Sequence, residues 1–158
     1  MMKDLEEFVN GSGEDGFIIV SFGSILRGAN MSPETRRTFI STFSRLKQRV
    51  VWKWEDETKM SPDADLLPAN VKLVPWLPQQ DLLGHPKARL FVTHGGLFSH
   101  QEAVFHGVPF IAMPVFADQF ANAKKAHDDG YAIHFDWDQV AQEGALYDAI
   151  QQVLTNAK

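Results

Sequence analysis

The chain has no cysteine among its 158 residues. That excludes disulfides, thiolate nucleophiles and cysteine-ligated zinc, yet says little about compartment, because a domain of this length can fold without cross-links. No window reaches the ~18 consecutive apolar residues of a membrane span. The longest apolar run, Val108 to Ala117, is broken by Pro109 and Pro114. The opening Met1 to Phe8 lacks an apolar h-region and does not read as a signal peptide. Basic charge is also scarce: 15 Lys+Arg stand against 20 Asp+Glu, a formal net charge of −5. A general nucleic-acid binder needs a basic face to displace counterions, so nucleic acid is excluded as a partner. A nucleotide is not excluded, since a helix end can hold one diphosphate without net positive charge.

What is present is an ordinary globular composition, 44% hydrophobic and 22% charged. It predicts a single soluble domain over residues 1–158. Phe17 to Phe22 is a short apolar run ending at Gly23 and reads as a buried strand. Ser32-Pro33-Glu34 is a helix start, continued by Phe39, Ile40, Phe43 and Leu46 at helical spacing. Arg49 to Trp54 and Val71 to Pro75 are the next strands, with a polar, proline-containing loop from Glu55 to Ala69 between them.

A short helix from Pro78 to Leu83 precedes a strand from Arg89 to Thr93 and a helix from Ser99 to His106. Phe110 to Ala112 reads as a strand, Asp118 to Asp129 as a helix, Tyr131 to Phe135 as a strand and Asp138 to Leu154 as a final helix. The alternation predicts an α/β fold with a mostly parallel sheet covered on both faces.

Some motifs mislead. Gly11-Ser12-Gly13-Glu14-Asp15-Gly16 fits G-x-G-x-x-G literally, but it precedes a strand instead of following one, and two acids sit where a pyrophosphate would come. It reads as a flexible loop. Asp63-Ala64-Asp65 resembles a metal-holding acid pair, yet two carboxylates in a polar loop are better read as solvated. His94, His100 and His106 are six apart and cannot share one helix face, so they form no metal site. Asn10-Gly11-Ser12 and Asn30-Met31-Ser32 are glycan-acceptor sequons, compatible with a lumenal parent protein.

Chemistry concentrates between Trp76 and Gln119. The strand ending at Thr93 runs into His94-Gly95-Gly96 and then a helix. Such a junction aims backbone N–H groups and a positive dipole end at one small volume, which suits a phosphate. His94 at the strand end is a candidate donor to a phosphate oxygen, and glycine lets the phosphate approach the backbone. Ser99 and Glu102 spell a capping box, Ser-x-x-Glu; alternatively Glu102 accepts hydrogen bonds from a ribose diol. Trp76 after a strand is a platform for a flat base, worth ~1–3 kcal/mol by stacking. Gln79 can offer both donor and acceptor to an imide edge. Asp118 is an N-cap by default, or with Gln119 a clamp on sugar hydroxyls. Ser24, in the first strand-to-helix turn, can reach the same phosphates.

Taken together, Trp76-Leu77-Pro78-Gln79, His94-Gly95-Gly96-Leu97-Phe98-Ser99-His100-Gln101-Glu102 and Asp118-Gln119 closely resemble the signature of the UDP-glycosyltransferase family. That group includes animal UDP-glucuronosyltransferases, and the His94 to Glu102 form looks most like arthropod members. The match is dense from Val71 to Gly130 and extends loosely to Phe22-Gly23-Ser24 and the final helix.

The resemblance implies a Rossmann-like three-layer α/β/α sheet, the C-terminal, donor-binding half of a two-domain GT-B fold. Carried over, Trp76 would stack on uracil, with Leu77 beside it and Gln79 bonding its edge. His94 and the backbone around Gly96, Phe98 and Ser99 would hold the diphosphate, Glu102 the ribose, and Asp118 and Gln119 the sugar. Phe98 stands where many relatives carry asparagine, so only its backbone N–H can serve. The family's catalytic base lies in the other half, and none of the histidines here matches it.

The resemblance further implies a UDP-sugar partner, UDP-glucose ahead of UDP-glucuronic acid, and no metal or other cofactor. It implies small lipophilic acceptors, a role in detoxification, and a parent anchored in the membrane facing the endoplasmic reticulum lumen. A non-catalytic nucleotide- or phosphate-binding module is the alternative. A nucleotide-sugar epimerase shares the architecture but fits the signature poorly.

Overall fold

The computed structural model describes residues 3–21, 33–53, 67–74, 77–93, 97–113, 124, 128, 132–135, 139, 142 and 144–156. The chain opens on helix α1 (Lys3–Asn10), followed by β1 (Phe17–Ser21), α2 (Pro33–Ser44), β2 (Arg49–Lys53) and β3 (Val71–Val74). Then come α3 (Gln79–Leu83), β4 (Ala88–Thr93), α4 (Leu97–His106), β5 (Phe110–Ala112), β6 (Ala132–His134) and α5 (Ala145–Asn156). Lys124 and Asp128 are also helical, within the span where the sequence predicts a helix. No helix of the described residues is long and apolar enough to cross a membrane.

The strands form one six-stranded sheet in the order β3-β2-β1-β4-β5-β6, with every neighbouring pair parallel. Strands buried on both faces need near-continuous apolar runs, and β1 (Phe-Ile-Ile-Val-Ser) is buried at every position. Its side chains alternate between two cores. Ile18 and Val20 join Phe39, Phe43, Trp52, Leu90, Val92 and Ile150, under α2 and α5. Phe17 and Ile19 join Leu5, Val9, Leu82, Phe91, Ala103 and Phe110, under α1, α3 and α4. The three layers expected from the sequence are therefore present, helices on each side of the sheet.

The first layer is pinned by aromatics and one amide. Phe39, Phe43 and Trp52 pack with ring centroids 5.3–5.8 Å apart, and the Arg45 guanidinium lies 3.8 Å from the Tyr147 ring, joining α2 to α5. Asn70 Nδ2 donates at 2.9 Å to the carbonyls of Phe43 and Gln48, satisfying main-chain acceptors where α2 ends.

Two elements depart from the sequence expectation. Helix α1 stands where the sequence reading assigns no element; Leu5 and Val9, four residues apart, are both fully buried. The last helix starts at Ala145 and not at Asp138. Gly144 just before it has φ +76°, a left-handed conformation that interrupts helical winding.

The glycine-rich segment before β1 lies at the sheet's N-terminal end. Residues 11–15 form turns, and Gly16 has φ +73°. Phe17 N–H then donates to Lys87 O at 3.0 Å, and Arg49 N–H to Gly16 O at 3.2 Å. A Cβ on Gly16 would run into the Lys87 carbonyl, so glycine is required by close approach as well as by φ. This segment, read from the sequence as a flexible loop, forms hydrogen-bonded turns that lead into the strand.

Candidate functional site

In an open parallel sheet, ligands bind outside the carboxyl ends of the strands, at the point where the strand order reverses direction. Here that point lies between β1 and β4, whose ends pair as Ser21 with Thr93. Both side chains are buried, so the strand ends are fixed parts of the sheet. The loops that leave these two ends carry Ser24 and His94-Gly95-Gly96 in sequence. Topology thus places side by side the strand ends from which these two segments depart, while the segments themselves lie outside the described residues.

Helix α4 follows β4 and begins at Leu97. Phe98 and Ser99 are its second and third residues, so their N–H groups belong to the first turn, where backbone donors lack intrahelical partners. Its dipole adds partial positive charge at that end. Starting at Leu97, the helix already encloses Ser99, which therefore is not the residue that caps it. The capping-box alternative for Ser99 and Glu102 loses its geometry.

Glu102 has a different partner. Its Oε2 accepts a hydrogen bond of 2.8 Å from Gln79 Nε2, across 23 positions of sequence. Gln79 is the first residue of α3, which follows Pro78 and is held by burial of Leu82 and Leu83. The Gln79 N–H donates to Leu77 O at 2.8 Å, and Leu77 itself is buried in the second core. Pro78, Gln79, Gln80, Asp81 and Glu102 line an open cleft of about 390 Å³. A carboxylate and an amide, both half-buried and bonded to each other, thus share the cleft wall. Such a pair holds the carboxylate in one orientation while other acceptor positions on its oxygens can meet hydroxyl groups.

Of the residues singled out from sequence, Leu77, Gln79 and Glu102 are described with their side chains, and Phe98 and Ser99 by their backbone. Ser24, Trp76, His94, Gly96, Asp118 and Gln119 lie outside the described residues, as does Asp63-Ala64-Asp65. The structure brings Gln79 to Glu102, a contact that sequence reading did not anticipate. Spacing carries no signal for it, since the two residues sit on different helices.

The family described as "UDP-glucoronosyl and UDP-glucosyl transferase" matches residues 1–158. This chain belongs to that UDP-glycosyltransferase family. Among its relatives, UDP-glucuronosyltransferase 3A1 of Xenopus laevis is 43% identical over 152 residues, covering 96% of this chain and 28% of its own length. UDP-glucuronosyltransferase 2A3 of Homo sapiens is 36% identical over 155 residues, covering 98% of this chain and 28% of its own length. The chain therefore spans little more than a quarter of these relatives.

Solved structures agree on the fold. The glycotransferase of kitacinnamycin superposes with a TM-score of 0.72 at 31% identity, covering 89% of this chain and 35% of its own. CalG4, the calicheamicin glycosyltransferase, gives 0.75 at 26%, covering 93% and 36%. Os79 from O. sativa, solved in complex with UDP, gives 0.81 at 22% identity, covering 98% and 35%. The Rossmann-like sheet of this UDP-glycosyltransferase chain is thus shared with glycosyltransferases of distant sequence.

Proposed function

We propose that this chain is the donor-binding, C-terminal half of a UDP-glycosyltransferase, and that the cleft beside Gln79 and Glu102 receives the ribose of a UDP-sugar. The observation that carries this reading is the 2.8 Å Gln79–Glu102 bond in an open cleft. It lies by a helix that starts at the carboxyl end of a central strand. A carboxylate held by an amide donor is well suited to accept from the two adjacent hydroxyls of ribose. Gln79 then acts first on Glu102, which shifts its expected role from the edge of the base toward the sugar of the nucleoside. Leu77, its side chain buried, offers the ligand its main chain.

The rest of the donor follows from the signature. Trp76 stacks on uracil, His94 and the first-turn N–H groups of α4 hold the diphosphate, and Asp118 with Gln119 holds the transferred sugar. UDP-glucose is the first candidate, UDP-glucuronic acid the second. In an inverting displacement an acceptor oxygen attacks the anomeric carbon while UDP leaves, loading negative charge on the β-phosphate. A helix N-terminus and His94 stabilise that charge with fixed dipoles aimed where it develops, without recourse to a metal. The catalytic base and the pocket for small lipophilic acceptors belong to the other half of such proteins, which in the cell face the endoplasmic reticulum lumen.

On this reading the 158-residue chain binds UDP but does not transfer sugar by itself. Titration calorimetry with UDP, with and without EDTA, is the test, run beside a transfer assay with a phenolic acceptor. The expected result is EDTA-insensitive binding and no turnover. A folded sample giving no heat with UDP would sink the donor reading; binding that ignores the base would favour a general phosphate module. Turnover by the chain alone would overturn the division of labour.

A further inference from the structure

We propose that Asn10 is an N-glycan acceptor, placed at the end of the sheet away from the donor cleft. Asn10-Gly11-Ser12 carries the required amide and hydroxyl at the required spacing. Asn10 is the last residue of α1 and is exposed, and the turns that follow it through Asp15 are mostly exposed as well. A Cβ built on Gly13 would meet nothing within 4 Å, so the turn faces open space.

The hydrogen bonding around Asn10 leaves the reacting atom unspent. His85 Nδ1 accepts from the Lys87 N–H at 3.0 Å, so in the neutral ring the proton sits on Nε2. That Nε2 faces Asn10 Oδ1 at 2.8 Å and donates to it. The carboxamide oxygen is therefore the anchored atom, and Nδ2 is the one available for substitution. In the transfer, Nδ2 loses one proton and bonds to the anomeric carbon of an oligosaccharide linked to a lipid diphosphate, and the lipid diphosphate leaves. The oxygen is not consumed. The glycosylated side chain keeps its bond to His85, and the Lys87 Nζ bond to Asn10 O, 2.8 Å, involves only main chain.

Position makes the modification compatible with function. Asn10 packs beside residues that precede β1 and β4, whereas Gln79 and Glu102 stand at the carboxyl ends of β3 and β4. A glycan there extends away from the cleft. The second sequon, Asn30-Met31-Ser32, lies outside the described residues. The inference rests on the lumenal placement proposed above, but its test does not, because routing is imposed.

The full 158-residue chain carrying Asn30→Gln is sent into the secretory pathway of insect cells with a cleavable leader, and the total lumenal pool is analysed. The expected result is a mass increase removed by N-glycosidase, with Asn10 recovered as aspartate, and its loss in Ser12→Ala. UDP affinity, measured before and after glycan removal, is expected to agree within twofold. An Asn10 peptide found unmodified in that pool overturns the proposal. Glycosylation that weakens UDP binding tenfold or more overturns the placement away from the cleft. A chain glycosylated at Asn10 that binds no UDP in either form leaves the glycan site standing and the donor reading broken.

Discussion

The two ends of the sheet use polar groups in opposite ways. At the amino ends of the strands, cations are committed to fixed main-chain acceptors. Arg49 Nη1 donates to Phe8 O at 2.6 Å, Lys87 Nζ to Asn10 O at 2.8 Å, and Arg89 Nη1 to Pro86 O at 2.9 Å. Helix α1 has no basic residue in its own last turn, so Arg49 and Lys87 supply from elsewhere the positive charge its carboxyl end favours. At the carboxyl ends, Gln79 and Glu102 answer each other across an open cleft. One end spends its polar groups on holding the chain; the other keeps them where a ligand can reach. The difference teaches that cations paired to main-chain carbonyls fix the amino end, whereas at the carboxyl end a side-chain pair stands beside an open cleft.

Substitution separates the two. The largest effect is expected from Gly16→Ala at the stabilising end. A left-handed φ costs an L-residue roughly 1–2 kcal/mol, and the added methyl meets the Lys87 carbonyl. Urea unfolding should show a loss of about 2 kcal/mol or more, while UDP affinity of the folded fraction is unchanged. A loss of UDP affinity instead would erase the contrast between the ends.

Next comes Glu102→Ala. A hydrogen bond to a charged group is worth ~1.5–3 kcal/mol, so UDP affinity should drop tenfold or more. Its urea midpoint should move little, because the carboxylate's bond is to Gln79 in an open cleft. Gln79→Leu should do less, a few-fold weakening, and should shrink the preference for UDP over its 2′-deoxy counterpart. If Gln79→Leu instead abolished only the preference for uracil over other bases, Gln79 would read the base edge and its bond to Glu102 would be incidental.

The smallest effect concerns His85 and pH. Burial, then the neighbouring Lys87 and Arg89, lower its pKa from the usual 6.5, with Glu6 opposing weakly. The folded state thus favours the neutral ring, which is also the form that accepts from the Lys87 N–H. Below pH 6.5 the unfolded chain takes up the proton before the folded one does, so this contribution is intact above that pH and fades as pH falls. Urea midpoints from pH 7.5 down to 5 should decline slightly in the parent chain and less in His85→Gln. Equal slopes would show that His85 plays no part.

Much of this fold is legible in the sequence. The apolar runs at Phe17, Arg89 and Phe110 become β1, β4 and β5, because strands buried on both faces tolerate little else. Helix α2 begins at Pro33, as the helix-start residues Ser32-Pro33-Glu34 predict. Helix α1 was legible through Leu5 and Val9, four residues apart on one face of a strongly amphipathic segment, although the sequence reading assigned no element there. The start of α5 at Ala145 turned on the backbone of Gly144, which composition does not reveal.

By itself, the sequence determined the family and the parallel α/β class, because strand burial and glycine turns leave local, ordered signatures. Only the tertiary structure decided which residues meet one another. Strand order sets β1 beside β4, so that Ser21 and Thr93 end the two strands side by side. The start of α4 at Leu97 removes Ser99 from the cap, and the approach of α3 gives Glu102 to Gln79. Local propensity could not tell whether Glu102 serves a cap or a distant partner, since that partner, Gln79, is 23 residues away.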